Sequence, residues 1–342
     1  MKKLFNYLTH HRDTMLLSGV LVFLIAALFK PTIPIKHNIY TYLLIADISQ
    51  SMNASDMMSN GKPITRIAHT QNIMHDTISS LPCGTKVSIG LFAGNSVAAL
   101  YNPIEVCANF AAIQDTIDHL DWRTAWSGNS RVRESMYGIS RIIRSFPEPA
   151  QVVLFTDGEE APKLHAFNTK DLTNFQGADG WLLVGVGSEK GVAIPKLSDK
   201  NQVIGYWSNE SFAMQPGIAQ ISESTLGIRD DNVAGGEHDR YISKHNPEYL
   251  KSVAKEIGAT YIYGDNVHTL LSAMQLQKPA RHDVAPFDLS WILSSIAGLL
   301  LLAAYFTKHP IRQIGEALRF YKKEFKRTQS QNEAAIAHDN HF

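Results

Sequence analysis

The sequence predicts an α/β domain built on a mostly parallel central sheet with one antiparallel edge strand and helices on both faces, placed between two apolar segments. Two observations carry that prediction. Short apolar runs, NIYTYLLIAD (38–47), QVVLFTDG (151–158) and GWLLVGVG (180–187), alternate with segments of helical period, the pattern of a parallel sheet covered by helices. MLLSGVLVFLIAALF (15–29) and FDLSWILSSIAGLLLLAAYF (287–306) stand apart from the rest. The second is apolar on all faces and close to the ~20 residues that a membrane-spanning helix needs.

The elements follow in order. Residues 1–13 carry Lys2, Lys3 and Arg12, and no A-x-A-like cleavage site follows the first apolar block in KPTIPIKHN. That favours an uncleaved anchor at 14–30 over a secretory signal peptide. The second span, 287–306, is followed by Lys308, Arg312, Arg319, Lys322, Lys323, Lys326 and Arg327. Cations flanking both spans place residues 1–13 and the basic tail 307–342 in the cytoplasm, with the domain between them on the other side of a bacterial inner membrane, the periplasm. Lys plus Arg and Asp plus Glu are equal at 32 each, so no global field recruits nucleic acid.

Within the domain, ITRIAHTQNIMHDTISSL (64–81) sets Ile64, Ile67, Ala68, Ile73, Met74 and Ile78 near one helical face. Cys83 and Cys107 flank two alternating stretches joined by the turn-like AGNS. A hairpin centred near Asn95 places the two cysteines opposite each other, and an oxidising compartment favours a disulfide over two buried thiols. NFAAIQDTIDHL (109–120) and SRVRESMYGISRIIRSF (130–146) read as helices. Residues 188–245 are rich in Gly, Asn, Ser and Asp and read as an irregular insertion. NPEYLKSVAKEIGATYIYG (246–264) then gives a helix with Pro247 in its first turn and Gly258 past its end, followed by a last strand. NVHTLLSAMQL (266–276) is a closing helix.

Two strands end in a carboxylate, LLIAD in Asp47 and VVLFTD in Asp157. In open α/β sheets ligands bind beyond the carboxyl ends of the strands, and two acids at one edge repel unless a cation lies between them. Ser49 and Ser51 leave the same loop as Asp47. Hard oxygen donors without His or Cys suit Mg²⁺, or Ca²⁺ or Mn²⁺, better than zinc or copper. A turn with a helix N-cap would use the same residue types.

DISQS (47–51) resembles the D-x-S-x-S signature of the metal-ion-dependent adhesion site (MIDAS) in von Willebrand factor A domains, and LFTDG (154–158) resembles that family's second carboxylate loop. The resemblance spans about 38–265 and implies a Rossmann-like fold. It also implies a third loop whose Ser or Thr binds the metal. Laid over SRVRESM, its pattern puts Ser130 at that position, with Val132 and Met136 at apolar ones; Arg131 and Arg133 depart from it, and Thr124 competes. The implied metal ligands are Asp47, Ser49, Ser51, Ser130 and Asp157, and the implied partner is a protein that offers a carboxylate to the cation. DISQSMNASD, SSLPCGTKVSIGLF, PIEVCANF, WSGNSRV and VGVGSEKGVAIPKL look like stretches of the membrane-anchored MxaL-type proteins encoded with the methanol dehydrogenase cluster of methylotrophic bacteria. That narrower resemblance implies an accessory role in maturing methanol dehydrogenase through insertion of its calcium. Aerotolerance-type membrane proteins that work with a MoxR-like ATPase share the domain and the anchoring.

An enzymatic alternative is an Asp47 nucleophile of the haloacid-dehalogenase sort. Such enzymes carry a second Asp two residues on, where this chain has Ser49. There is no G-x-S-x-G and no GK[ST] phosphate loop, so a non-enzymatic binding module is expected. Gln50, Asn53, Asn129 and Glu159 are rim candidates. The fourteen histidines are scattered, with His238 and His245 read as solvated loop residues near Glu237 and Asp239.

Overall fold

The computed structural model describes residues 12–161, 163–164, 167–209 and 234–305. The chain forms two compact units, residues 1–37 with 284–342, and residues 38–283.

In the first unit, α1 (Arg12–Leu28) packs against α7 (Ser290–Tyr305), and β1 (Thr32–Ile39) pairs with β15 (Arg281–Asp288). Among the described residues no helix is long and apolar enough to cross a membrane. α1 has 17 residues and α7 has 16, which at ~1.5 Å per residue fall short of a ~30 Å hydrocarbon core. The spans predicted at 14–30 and 287–306 thus coincide over most of their length with two helices whose described residues are too few to show a crossing. The first stops at Leu28, with Lys30 in the left-handed region at φ 45°. The second loses its start because Phe287 and Asp288 belong to a strand, and the Asp288 carboxylate accepts from the Ser290 amide to open the helix. Residues 1–11 and the basic tail 307–342 lie outside the described residues.

The second unit is centred on a seven-stranded sheet. β2 (Thr41–Asp47) lies between β5 (Lys86–Ala93) and β8 (Gln151–Thr156), with β9 (Leu182–Gly185) and β14 (Thr260–Tyr263) beyond β8, all parallel. The antiparallel edge is shared by two short strands, β6 (Ser96–Ala99) and β7 (Ile104–Glu105), both paired with β5. Side-chain alternation along β2 divides the core. Tyr42, Leu44 and Ala46 face Ile73, Met74 and Ile78 of α2 (Arg66–Ser80), Ile113 and Ile117 of α3 (Phe110–Asp118), and Leu270 and Met274 of α6 (Val267–Gln275). Leu43 and Ile45 face Val132, Met136 and Ile139 of α4 (Val132–Ser145), and Leu250, Val253 and Ile257 of α5 (Pro247–Ile257). Thr65 caps α2 by accepting from the Ala68 amide, Asn246 caps α5, and Gly258 ends α5 in the left-handed conformation.

The predicted hairpin forms, and Cys83 is bonded to Cys107 with the two Cα atoms 5.3 Å apart. The bridge closes a segment of sequence separation 24, for which chain entropy gives about 3 kcal/mol. A Cys83→Ser/Cys107→Ser double variant should lose about that much in urea denaturation; a loss below about 1 kcal/mol would mean that the edge pairing alone holds the hairpin.

The insertion predicted at 188–245 has sparse structure in its described parts. β3 (Met57–Ser59) and β4 (Lys62–Ile64) form a small ribbon before α2. Within the insertion, β10 (Val192–Ala193) pairs with β13 (Ile242–Ser243), and β11 (Pro195–Leu197) pairs with β12 (Val203–Tyr206).

Candidate metal centre

β2 and β8 are neighbours and run the same way, so Asp47 and Asp157 leave the same end of the sheet. Both are fully buried. Asp47 Oδ1 accepts from the Ser49 amide at 2.9 Å and Oδ2 from the Thr156 hydroxyl at 2.7 Å. The hydroxyls of Ser49 and Ser51 lie 3.2 Å apart, which brings two further oxygens to the loop after β2. Ser130 comes in from the start of α4: it bridges to Gly94 and donates its hydroxyl to the Glu159 carbonyl. The competitor Thr124 is exposed on a turn and bonds the Asp121 carbonyl instead. Val132 and Met136, the two apolar positions of the third loop, are completely buried. Asp157 Oδ1 accepts from the Glu159 amide. Gly158 makes that turn at φ 75°, where a Cβ would stand 2.6 Å from Leu250 Cγ; a side chain there is strained and obstructed.

The electrostatics centre on Arg66, a residue whose place the sequence does not announce. It sits on the first turn of α2 and is completely buried. Its guanidinium donates to Asp157 Oδ2 at 2.8 Å, to both oxygens of Asp56, and to the Ser243 hydroxyl at 2.8 Å. Gly187, at φ 111°, makes room for it: a Cβ there would lie 2.6 Å from Arg66 Nε. Burial opposes the Arg66 charge, but Asp157 and Asp56 outweigh it and raise its pKa. Burial likewise works against the Asp56 charge, and Arg66 more than offsets it, holding the carboxyl below its usual range. Among the described residues Asp47 has no such partner. Burial first, and the Asp157 charge second, push its pKa up to about 7. Glu159 is pushed up to about 7 as well, by burial and then by Asp157.

His245 departs from its sequence reading. It is buried, with Nδ1 2.9 Å from the Asp157 carbonyl and Nε2 2.9 Å from the Tyr261 hydroxyl, while His238 is exposed. A loop-rich composition hid a ring that packs beneath the second carboxylate loop, where burial lowers its pKa. Among the rim candidates, Asn53 is buried and donates to Gln50. Asn129 and Glu159 line a small recess of ≈ 10 Å³ with Ser51, Ser130, Ile194 and Tyr241.

The residues present fit a hard divalent cation. Asp47 and Asp157 are buried side by side, and only Asp157 is met by a guanidinium. One oxygen of Glu159, Oε2, is shut from solvent and, among the described residues, receives no hydrogen bond of ordinary geometry. Carboxylate and hydroxyl oxygens in that number suit Mg²⁺ or Ca²⁺ chemistry. Asp47, Ser49, Ser51 and Ser130 would hold such an ion. Asp157, with one oxygen on Arg66 and the other on the Glu159 amide, would supply charge and a remaining lone pair.

Residues 42–160 match the von Willebrand factor type A domain family. A UPF0353 protein of Mycobacterium avium is 29% identical over 168 residues, covering 47% of this chain and 48% of the relative. A UPF0353 protein of Mycolicibacterium paratuberculosis is 26% identical over 167 residues, covering 47% of each. The alignments thus take in about half the length of these curated relatives. Among solved structures, an aerotolerance-related membrane protein from Bacteroides fragilis superposes with a TM-score of 0.47 at 18% identity, over 70% of this chain and 98% of that one. BatB from Bacteroides thetaiotaomicron gives a TM-score of 0.47 at 16% identity, over 76% and 99%. The match to the von Willebrand factor type A domain family thus runs from β2 through the second carboxylate loop, residues 42–160.

Proposed function

We propose that the chain is a non-enzymatic module that binds a protein partner through a divalent cation, Mg²⁺ in the first instance, held by Asp47, Ser49, Ser51 and Ser130 with Asp157 behind them. The observation that carries this reading is the pair of buried aspartates at one sheet edge, of which Asp47 lacks a cationic partner. A cation there would satisfy Asp47 and leave a position for a carboxylate from the partner. A phosphohydrolase reading is weaker, because Ser49 stands where a second acid would be needed.

The proposal extends to place. The α1 and α7 helices expose Leu21, Val22, Leu28, Trp291 and Leu299, surface that an apolar medium would cover. We assign the pair to a bacterial inner membrane, with the domain in the periplasm and both termini cytoplasmic; the Cys83–Cys107 bridge suits that oxidising compartment. The role proposed on the quoted stretches is maturation of methanol dehydrogenase, with the aerotolerance-type scaffold beside a MoxR-like ATPase as its competitor. Capture of the full chain from native membranes, with Mg²⁺ or with EDTA, tests both. A methanol dehydrogenase subunit retained in Mg²⁺ and lost in EDTA is expected. A MoxR-like ATPase in its place would favour the scaffold, and partners indifferent to EDTA would remove the cation from recognition.

A further inference from the structure

The described parts of the insertion lie against the candidate centre. Ile194 and Tyr241 are buried with Ala161 in a small apolar cluster, and Trp207 packs on it. The same Ile194 and Tyr241 line the pocket that Ser51, Ser130 and Glu159 also line. Tyr241 donates its hydroxyl to Glu159 Oε1 at 2.7 Å. Among the described residues the other carboxylate oxygen, Oε2, is closed off from solvent and receives no hydrogen bond of ordinary geometry, the nearby Ser243 hydroxyl giving the carboxylate only partial relief. Two residues further along, Ser243 receives the Arg66 guanidinium that also holds Asp157.

A buried carboxylate oxygen without a well-placed donor is costly, because its hydration has been removed and little replaces it. Glu159 faces its pocket beside two hydroxyls already assigned to the cation. Its backbone is fixed on both sides, since its amide donates to Asp157 and its carbonyl receives the Ser130 hydroxyl. Its side chain is aimed by a phenol from another part of the chain. An oriented ligand with a partner that holds it is the usual construction of a protein metal site.

We propose that Glu159 is an additional cation-binding carboxylate of this centre, and that Tyr241 of the insertion is the positioning residue that holds it there. The inference rests on the cation reading above. It makes the insertion part of the centre, so that binding the ion tightens the insertion onto the sheet edge.

The test is titration of the full chain in detergent with Mn²⁺, following free Mn²⁺ by electron paramagnetic resonance, with hydrogen exchange of residues 237–243 measured alongside. Asp47→Ala should abolish binding. Glu159→Gln and Tyr241→Phe should each weaken it about 10- to 100-fold, and Mn²⁺ should slow exchange at 237–243 in the parent but not in Glu159→Gln. If Asp47→Ala abolishes binding while Glu159→Gln stays within about twofold of the parent, Glu159 is no ligand and the centre stands without it. If Asp47→Ala binds as the parent does, the centre itself is misassigned and Glu159 falls with it.

Discussion

Replacing Arg66 with alanine should cost about 3–5 kcal/mol, the range for removing one partner of a buried ion pair. The side chain is completely buried, and its partners are nearly so: Asp56 is 3% exposed and Asp157 0%. Alanine would leave both carboxylates in a low-dielectric interior without their guanidinium, and Ser243 without its donor. The loss should appear as a shift of the urea midpoint with little change in slope. Adding Asp56→Asn to Arg66→Ala should recover part of it, because one orphaned charge is gone. Arg66→Lys should recover little, since a point ammonium cannot reproduce a fork that serves Asp56, Asp157 and Ser243 together. A loss under about 1 kcal/mol for Arg66→Ala would show that the guanidinium does not neutralise these acids.

Asp47→Asn should act with opposite signs on binding and on folding. Cation affinity should fall by at least about 100-fold, beyond the range for outer-shell partners, because the amide brings no charge. Cation-free stability at pH 8 should rise. The Asp47 pKa goes from the usual 3.8 up to about 7 in the fold, so the folded state holds the proton more tightly than the unfolded one. Its contribution is therefore fullest below about pH 4 and declines as pH climbs toward 7. The parent should lose stability over that window and the Asn variant should lose less, with the two nearly equal at pH 4. Denaturant titrations at pH 4, 6 and 8 in EDTA check the sign; a variant less stable than its parent at pH 8 would contradict it.

What the sequence makes legible here follows from locality. D-x-S-x-S places Asp47, Ser49 and Ser51 within five residues, and a strand ending in TDG places Asp157, so both loops can be read directly. Ser130 is readable only through the third-loop pattern, and Val132 and Met136 carry it despite the two arginines beside them. Arg66 is not readable: on an amphipathic helix a first-turn arginine looks solvent-facing, and its partners Asp157 and Ser243 are 91 and 177 residues away. Tyr241 is hidden for the same reason, in a segment without periodicity. The apolar segments locate α1 and α7 but not their ends, because hydropathy extends past residues that interrupt a helix, Lys30 on one side and Asp288 on the other.

The separations around Arg66 also bear on the order in which the chain assembles. The sheet can register β2, β5 and β8 from contacts that include none of residues 237–243. Until Ser243 arrives, Arg66 has only part of its hydrogen bonding, and until Tyr241 arrives, Glu159 has no phenol to hold it. Loop closure over such spans is slow relative to local contacts. The centre is therefore expected to complete after the sheet, so that refolding followed by cation uptake should lag refolding followed by far-ultraviolet circular dichroism.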